Sequence, residues 1–205
     1  MRNLVFLFFL LTVTMQSQTK MSATEAQSLK TLVKRQALTT KTIVSDFTQH
    51  KHLDFLSNDI ITKGKLAFKT PDLVKWEYTE PYKYAVLFKN ETLYINDEGK
   101  KNQVDMGSNK LFKQLNNLII NSIKGDMFDD EAFTIEYFKI DKNSLVYFTP
   151  KDKKSSKYID TFQITFNATG DVTVVKMIEP SGDYTKIVFT NKELNKPLPD
   201  AIFTH

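Results

Sequence analysis

The chain has no cysteine at all, and only 6 Gly and 6 Pro among its 205 residues. The absence of cysteine excludes a disulfide scaffold, a thiol nucleophile, an iron–sulfur cluster and a zinc site with cysteine ligands. It also excludes lipid attachment through an N-terminal cysteine of the mature chain. The glycines occur singly, which leaves no glycine-rich phosphate loop. The chain is instead rich in phenylalanine, with 16 residues.

The excess of basic over acidic residues is also small. The chain has 28 basic and 24 acidic residues, and its formal charge of +4 at pH 7 is too small to indicate a nucleic-acid partner. Hydrophobic residues make up 41% and charged residues 25%, a composition typical of a folded protein. The length suits one domain, or at most two small ones.

Residues 1–18 resemble a cleavable secretory signal peptide. Arg2 supplies the positive start, and residues 4–11 form an apolar run that is shorter than the roughly 20 residues of a membrane span. The residues before Thr19 lack the usual small-residue cleavage pattern, so an uncleaved anchor is the alternative. We expect export of the chain, with residues 19–205 forming a single domain.

The first predicted helix spans Ser22–Leu38. Ser22 and Glu25 have the spacing of a capping box, in which each side chain accepts a hydrogen bond from a free backbone N–H group. One apolar stripe follows at three- and four-residue spacing: Ala26, Leu29, Leu32 and Val33.

Eleven strand-like segments make up most of the remaining chain. They are Ile43–Phe55, Ile60–Lys69, Leu73–Thr79, Tyr84–Lys89, Thr92–Asn96, Asn102–Met106, Ala132–Ile140, Ser144–Thr149, Tyr158–Asn167, Val172–Glu179 and Tyr184–Thr190. Most connections are too short for the crossover helix that a parallel pair requires, so one antiparallel sheet is predicted.

A second helix is predicted between the sixth and seventh strands. Ser108 or Asn109 caps its start and Gly125 ends it. Its apolar side consists of Leu111, Phe112, Leu115, Leu118, Ile119 and Ile123.

Alternation along the strands collects the aromatic residues on one face of the sheet. Two helices cannot cover the apolar face of so wide a sheet, which therefore either closes into a barrel or stays open around an apolar concavity under a helical lid. Plain core packing accounts for any single one of these residues, whereas their number favours a ligand cavity. The candidate cavity residues are Leu66, Phe68, Val74, Trp76, Tyr78, Leu115, Leu118, Ile119, Phe133, Ile135, Tyr137, Phe162, Ile164 and Phe166.

A set of motifs between residues 47 and 81 resembles the outer-membrane lipoprotein carrier proteins, the LolA family. In order and at the family's spacing, the chain has Phe47-Thr48-Gln49, Gly64-Lys65-Leu66-Ala67-Phe68, Pro71-Asp72-Leu73, Trp76 and Pro81. The resemblance continues more loosely along residues 19–205.

The resemblance implies a mainly β (α+β) fold: an open, incomplete antiparallel β-barrel of about 11 strands with a helical lid over a hydrophobic cavity. It also implies a monomeric periplasmic carrier that binds no nucleic acid. Such a carrier takes acylated lipoproteins from an ATP-driven inner-membrane complex to an acceptor at the outer membrane. The alternatives are a regulatory or amphiphile-binding protein of the cell envelope with a similar open barrel, and an exported lipid hydrolase.

The turn at Lys69, Thr70 and Pro71 departs from the family pattern. The family has an arginine before this proline, and that arginine contacts the lid, whereas this chain has Thr70. Either Lys69 substitutes for it, or the lid closes through another contact, or the chain is a divergent paralogue with a different amphipathic cargo.

Catalytic and metal sites are not indicated. His50 and His52 share a strand face and offer two ligands of a possible metal site, but no third ligand is evident. The acidic run 129–131 lacks the spacing of a calcium loop. No nucleophile elbow is present. The sequence therefore predicts a protein without cofactor or metal that is not an enzyme.

Overall fold

The computed structural model describes residues 18–89, 92–105, 125–153 and 155–204, which contain one α-helix and twelve antiparallel strands. The helix α1 spans Ala23–Thr39. The strands are β1 Thr19–Lys20, β2 Thr42–His52, β3 Ile60–Lys69, β4 Leu73–Glu80, β5 Tyr84–Lys89, β6 Thr92–Asp97, β7 Lys100–Asp105, β8 Phe133–Ile140, β9 Asn143–Pro150, β10 Thr161–Phe166, β11 Val172–Ile178 and β12 Tyr184–Leu194.

All twelve strands form a single sheet in the order β1-β8-β9-β10-β11-β12-β2-β3-β4-β5-β6-β7. Every neighbouring pair is antiparallel, and the edge strands β1 and β7 do not pair with each other. The predicted mainly-β, open, antiparallel fold is therefore confirmed. Within the described ranges, no helix has the length and apolar character needed to cross a membrane.

Three predicted strand boundaries were wrong by three residues or more. Strand β2 ends at His52, three residues early, because the Asp54 N–H donates to the Asp183 carboxylate (2.8 Å) instead of a neighbouring strand. Strand β10 begins only at Thr161, because the N–H groups of Tyr158 and Ile159 both donate to the Ser155 carbonyl oxygen (3.0 Å) in the preceding turn. Strand β12 runs four residues further than predicted, to Leu194.

Two further elements differ from the prediction or lie beyond it. The two-residue strand β1, which the sequence did not indicate, pairs with the edge of β8. The predicted second helix lies outside the described residues, apart from Gly125 at its end.

The start of α1 has the predicted capping box. The Ser22 N–H donates to the Glu25 carboxylate (2.9 Å), and the Glu25 N–H donates to Ser22 Oγ (3.3 Å). Both bonds satisfy backbone donors that the first turn of a helix otherwise leaves free. They fix the direction in which α1 leaves β1.

Buried apolar residues form two clusters. The strand cluster draws on β2–β6 and β12 and consists of Ile43, Phe47, Leu66, Phe68, Val74, Trp76, Val86, Phe88, Leu93 and Ile187. The helix cluster combines α1 and the segment before β8 with β9, β10 and the segment between them, and consists of Leu29, Val33, Met127, Val146, Phe148, Ile159, Phe162, Ile164 and Phe166. Through Leu29 and Val33, α1 packs on the strands of the helix cluster.

Candidate functional site

A cavity of about 70 Å³ lies where the two clusters meet, beneath the C-terminal half of α1. Val33, Gln36 and Ala37 border it on the helix side. The strands contribute mainly apolar groups from β2, β3, β11 and β12: Ile43, Leu66, Val172, Val175, Phe189 and Leu194. The cavity is therefore mainly apolar, and the C-terminal half of α1 covers it.

A β-bulge determines which residues of β12 reach this cavity. Ile187 packs in the strand cluster and Phe189 packs against it, so strict alternation would aim residues 191 and 193 inward. The pairing with β2 instead shifts between Thr190 and Glu193, and Asn191 has a left-handed backbone (φ 51°). The extra residue reverses the alternation. As a result, Lys192 and Leu194 both border the cavity.

Lys192 is the only lysine among the described residues that border the cavity. Its Nζ donates a short hydrogen bond to the Val172 carbonyl oxygen and lies 5.6 Å from the centre of the Phe189 ring. Burial lowers the pKa of Lys192 below its ordinary value, while the nearby Asp171 carboxylate acts in the opposite direction. Lys192 therefore holds its charged form against a desolvation cost.

Polar contacts attach α1 to the neighbouring half of the sheet. Near the start of the helix, Lys139 of β8 forms a short ion pair with Glu25. This bond and the Ser22 N–H lower the pKa of Glu25 to about 2. Further along the helix, Lys30 pairs with Asp130 (3.1 Å).

One polar contact of α1 lies at the cavity itself. Gln36 Nε2 donates to an Asp171 carboxylate oxygen (3.3 Å), and both residues border the cavity. The helix therefore has polar attachments at its start, its middle and its C-terminal half. The two exposed ion pairs, Glu25–Lys139 and Lys30–Asp130, each contribute little to stability.

Aromatic residues beside the cavity explain the spacing of the sequence motif. The Phe47 ring packs edge-on against Trp76 (4.9 Å between centroids) and against Tyr78 (5.2 Å). Gly64 lies under the Phe47 ring, where no larger residue fits. The Tyr78 hydroxyl donates to Gln49 Oε1 (3.1 Å), and burial raises the pKa of Tyr78 to about 12. The motif thus describes one packed aromatic unit.

The predicted cavity residues fall into three groups. Leu66, Phe68, Val74, Trp76 and Tyr78 belong to the strand cluster or pack against it. The helix cluster contains or contacts the residues predicted from the later strands: Phe133, Ile135, Tyr137, Phe162, Ile164 and Phe166. Outside the described residues lie Leu115, Leu118 and Ile119.

Of the described residues in this predicted set, only Leu66 borders the cavity directly. Sequence reasoning missed Val33, Gln36, Phe189 and Lys192. The apolar stripe of the first predicted helix contains Val33 and could have indicated the helix side of the cavity. The asparagine at Asn191, a residue type that tolerates a left-handed backbone, was the only signal for the bulge.

The turn residues Lys69 and Thr70 contact segments other than α1 itself. The Thr70 N–H donates to the Lys41 carbonyl oxygen (2.9 Å), just beyond α1. Lys69 is on the outer face of the sheet, where its ammonium pairs with Asp200 of the C-terminal segment (2.6 Å). Among the described residues, the Lys69 ammonium therefore contacts the C-terminal segment and not α1.

The two strand histidines meet one carboxylate. His52 Nδ1 lies 2.9 Å from Asp59 and His50 Nδ1 lies 3.9 Å from it, and the His52 ring stacks on Tyr184. In the part of the chain that the structure describes, no group of three or more His, Cys, Asp or Glu residues is arranged to hold a metal ion. The acidic run forms a turn in which Asp129 accepts the N–H groups of Glu131 and Ala132.

Comparison with known proteins supplies a family. The family profile described as outer membrane lipoprotein carrier protein LolA matches residues 38–205. An outer-membrane lipoprotein carrier protein of Pseudomonas aeruginosa is 28% identical over 144 residues, which is 70% of this chain and 66% of that protein. The chain thus spans slightly less than two thirds of that relative's length. The corresponding protein of Pseudomonas putida is 27% identical, over 70% of this chain and 67% of its own length.

Solved structures share the fold at lower identity. The Pseudomonas aeruginosa MucA/MucB complex aligns with 87% of this chain and 61% of its own, with a TM-score of 0.55 and 9% identity. A DUF1329 family protein from Desulfovibrio piger aligns over 87% of this chain and 97% of its own, with a TM-score of 0.50 and 14% identity. At such identities the similarity concerns the fold alone.

Proposed function

Since the chain belongs to the LolA family of outer membrane lipoprotein carrier proteins, we propose that it binds the acyl chains of lipoproteins and carries them between membranes. The observation that carries the proposal is the apolar cavity beneath α1, where the two clusters meet. Each methylene removed from water contributes about 0.8 kcal/mol, so an acyl chain gains strongly by entering such a space.

The cavity is too small to receive an acyl chain without a change of conformation. Its volume of about 70 Å³ is less than half of the roughly 150 Å³ of an engineered apolar cavity that accepts benzene. We infer that α1 moves away from the sheet during loading. The space beneath it would then join the aromatic surface around Phe47 and Trp76.

The attachment of α1 is weak enough for this movement. Leu29 and Val33 are its two buried apolar residues, and burying a side chain of this size contributes about 1.5–3 kcal/mol. Displacing both costs about 3–6 kcal/mol, which about four to eight buried methylenes would offset. A long acyl chain therefore supplies enough free energy to displace the helix, and losing the chain allows the helix to return.

The route follows from the family and from the start of the chain. We propose that residues 1–18 are a signal peptide removed on export to the periplasm, and that residues 19–205 form the carrier domain. The carrier receives lipoproteins from an ATP-driven inner-membrane complex and delivers them to an outer-membrane acceptor. It acts as a monomer, without catalysis, cofactor or nucleic acid.

Recovery of the natural cargo tests this proposal. The full chain is expressed in a host with acylated lipoproteins, purified from the periplasmic extract without detergent, and subjected to mass spectrometry. Acylated lipoproteins bound in near-stoichiometric amounts support the carrier function. Protein that accumulates in the periplasm, yet carries no acylated species, contradicts it.

A second candidate is a sensor or regulator of the cell envelope that binds a protein partner. It is favoured by the similarity of fold to MucB, which was solved in complex with MucA. The same purification separates the two functions, because a regulator would retain a non-acylated protein in place of a lipoprotein.

A further inference from the structure

The cavity contains a feature that a purely apolar acyl site does not need. Lys192 extends its ammonium group to the border of the cavity, although a hydrocarbon chain offers no hydrogen-bond acceptor. Removing a charge from water is unfavourable unless a partner compensates for it. The desolvation cost of this half-buried ammonium therefore indicates that it has a binding role.

The described surroundings of Lys192 provide a carbonyl oxygen and the Phe189 ring, but no ion-pair partner. Its hydrogen bond goes to a neutral group, the Val172 carbonyl oxygen. No described carboxylate lies within the 4.0 Å of an ion pair with it.

Asp171, the acidic residue at the same border, already uses both carboxylate oxygens. One accepts from Gln36 (3.3 Å) and the other from the Thr169 hydroxyl (2.7 Å). Its attraction for Lys192 acts only at longer range.

The position of Lys192 is built into the backbone. The bulge at Asn191 turns residue 192 inward, and the Asn191 amide donates to the Asp46 carboxylate (2.8 Å), which holds the bulged residue in place. Without the bulge, Lys192 would lie on the outer face, as Lys186 of the same strand does. The bulge in β12 therefore places the ammonium at the cavity.

We propose that Lys192 binds an anionic oxygen group, carboxylate or phosphate, at the end of an acyl chain that occupies the cavity. This inference rests on the proposed acyl cavity and adds a second ligand class to it: acidic single-chain amphiphiles, which the protein prefers to neutral ones of equal length. The anion replaces the Val172 carbonyl as the partner of the ammonium. A charge-assisted hydrogen bond of this kind is stronger than the neutral bond that it replaces.

Three ligands with the same ten-carbon chain test the proposal. Decanoate, decyl phosphate and 1-decanol are titrated against the full chain by calorimetry at pH 7. Both anions, or one of them, should bind about tenfold or more tightly than the alcohol, as expected for a hydrogen bond to a charged group. The stronger anion identifies the carboxylate or the phosphate as the natural group.

Variants assign the preference to Lys192. Lys192→Met should remove the preference for anions while keeping the affinity for 1-decanol, and Lys192→Arg should restore the preference. Lys186→Met, on the outer face of β12, should leave all three affinities unchanged. Circular dichroism of each variant establishes that it is folded, and the wild-type comparison stands even where a variant is not.

The outcomes separate this inference from the carrier function. Equal affinity of the wild-type protein for the alcohol and both anions overturns the role of Lys192 and leaves the acyl cavity intact. An anion preference that survives Lys192→Met also overturns it. Failure of all three ligands to bind contradicts the acyl cavity itself, and the role of Lys192 with it.

Discussion

The Phe47 ring lies so close to Gly64 that a Cβ atom at Gly64 would be 2.5 Å from ring atom Cζ and 2.2 Å from the Glu77 carbonyl oxygen. Gly64→Ala therefore forces the ring or strand β4 to move. We expect the free energy of unfolding to fall by about 1–3 kcal/mol, as for other overpacked cores. Urea denaturation measures the change.

A neighbouring residue supplies the control for Gly64. Lys65 is exposed and lies on the opposite face of β3. Lys65→Ala should change the free energy of unfolding by no more than about 1 kcal/mol, because exposed ion pairs are weak. A Gly64→Ala variant as stable as the wild type would show that the Phe47 ring does not depend on this glycine.

The low pKa of Glu25 predicts how the attachment of α1 depends on pH. The folded-state pKa is about 2, below the ordinary value of 4.5, so ionised Glu25 stabilises the folded state above pH 4.5. This contribution is lost as the pH falls towards 2. The stability difference between the wild type and Glu25→Gln should therefore shrink between pH 4.5 and pH 2.

Thermal unfolding at several pH values measures this difference. Glu131→Gln, which alters an exposed carboxylate in the turn before β8, is measured in the same way as the control for removing one acidic group. If the gap between the wild type and Glu25→Gln is constant down to pH 2, the bond with Lys139 does not stabilise the folded state.

The C-terminal segment is expected to be held by a buried ring more than by its ion pair. Phe203 is 1% exposed, whereas the Asp200 side chain is 88% exposed. Phe203→Ala should lower the free energy of unfolding by about 3–5 kcal/mol. Asp200→Asn should have little effect on the melting temperature.

Phe55→Ala is the matched control, since Phe55 is 80% exposed. It should change the free energy of unfolding by less than about 0.5 kcal/mol. If Asp200→Asn destabilises the protein as much as Phe203→Ala, the ion pair with Lys69 and not the ring anchors the segment.

The outward position of Lys69 predicts that it has no part in closing the lid. Its ammonium faces Asp200, on the side of the sheet opposite Phe68 and the inner face. Lys69→Ala should therefore leave the affinity for a synthetic N-acylated lipopeptide within about twofold of the wild type. Fluorescence titration measures it, and a loss above about tenfold would place Lys69 in the lid mechanism after all.

Regular alternation made much of the inner face predictable. Phe68, Trp76 and Phe162 lie on three regular strands, in each of which apolar residues occupy alternate positions. Their inward orientation therefore follows from the sequence. The bulge at Asn191 breaks that rule through one backbone angle, so the inward position of Lys192 could not be read from alternation. The partner of Lys69 was equally hidden, because Asp200 is 131 positions away in the chain.

The capping box illustrates the opposite case. Ser22 and Glu25 interact within one helical turn, so three-residue spacing alone determines their contact. The cavity, by contrast, forms where α1 meets strands distant from it in sequence, among them β12. Local signals thus predicted elements and faces, while the site depends on long-range packing.

If acyl chains enter the space beneath α1, a reversible lock on the helix must prevent their binding. A Cβ atom at Gly125 would lie 3.1 Å from Cβ of Ala37, a few tenths of an ångström below the usual range in disulfides. It would also lie 2.9 Å from Lys34 Cα, and the backbone of Gly125 is left-handed (φ 74°), so the single variant Gly125→Cys is the control for the strain of this substitution. The wild-type chain has no cysteine, so Ala37→Cys with Gly125→Cys introduces a pair without competitors. Met127, two residues beyond Gly125, is buried in the helix cluster and anchors this attachment point.

The decisive measurement is lipopeptide binding to this double variant before and after reduction. We predict that the oxidised protein does not bind the N-acylated lipopeptide and that the reduced protein binds it with the affinity of either single-cysteine variant. Equal binding by the oxidised and reduced forms, with the disulfide established by mass spectrometry, would contradict loading beneath α1. Acyl chains would then bind without release of this helix.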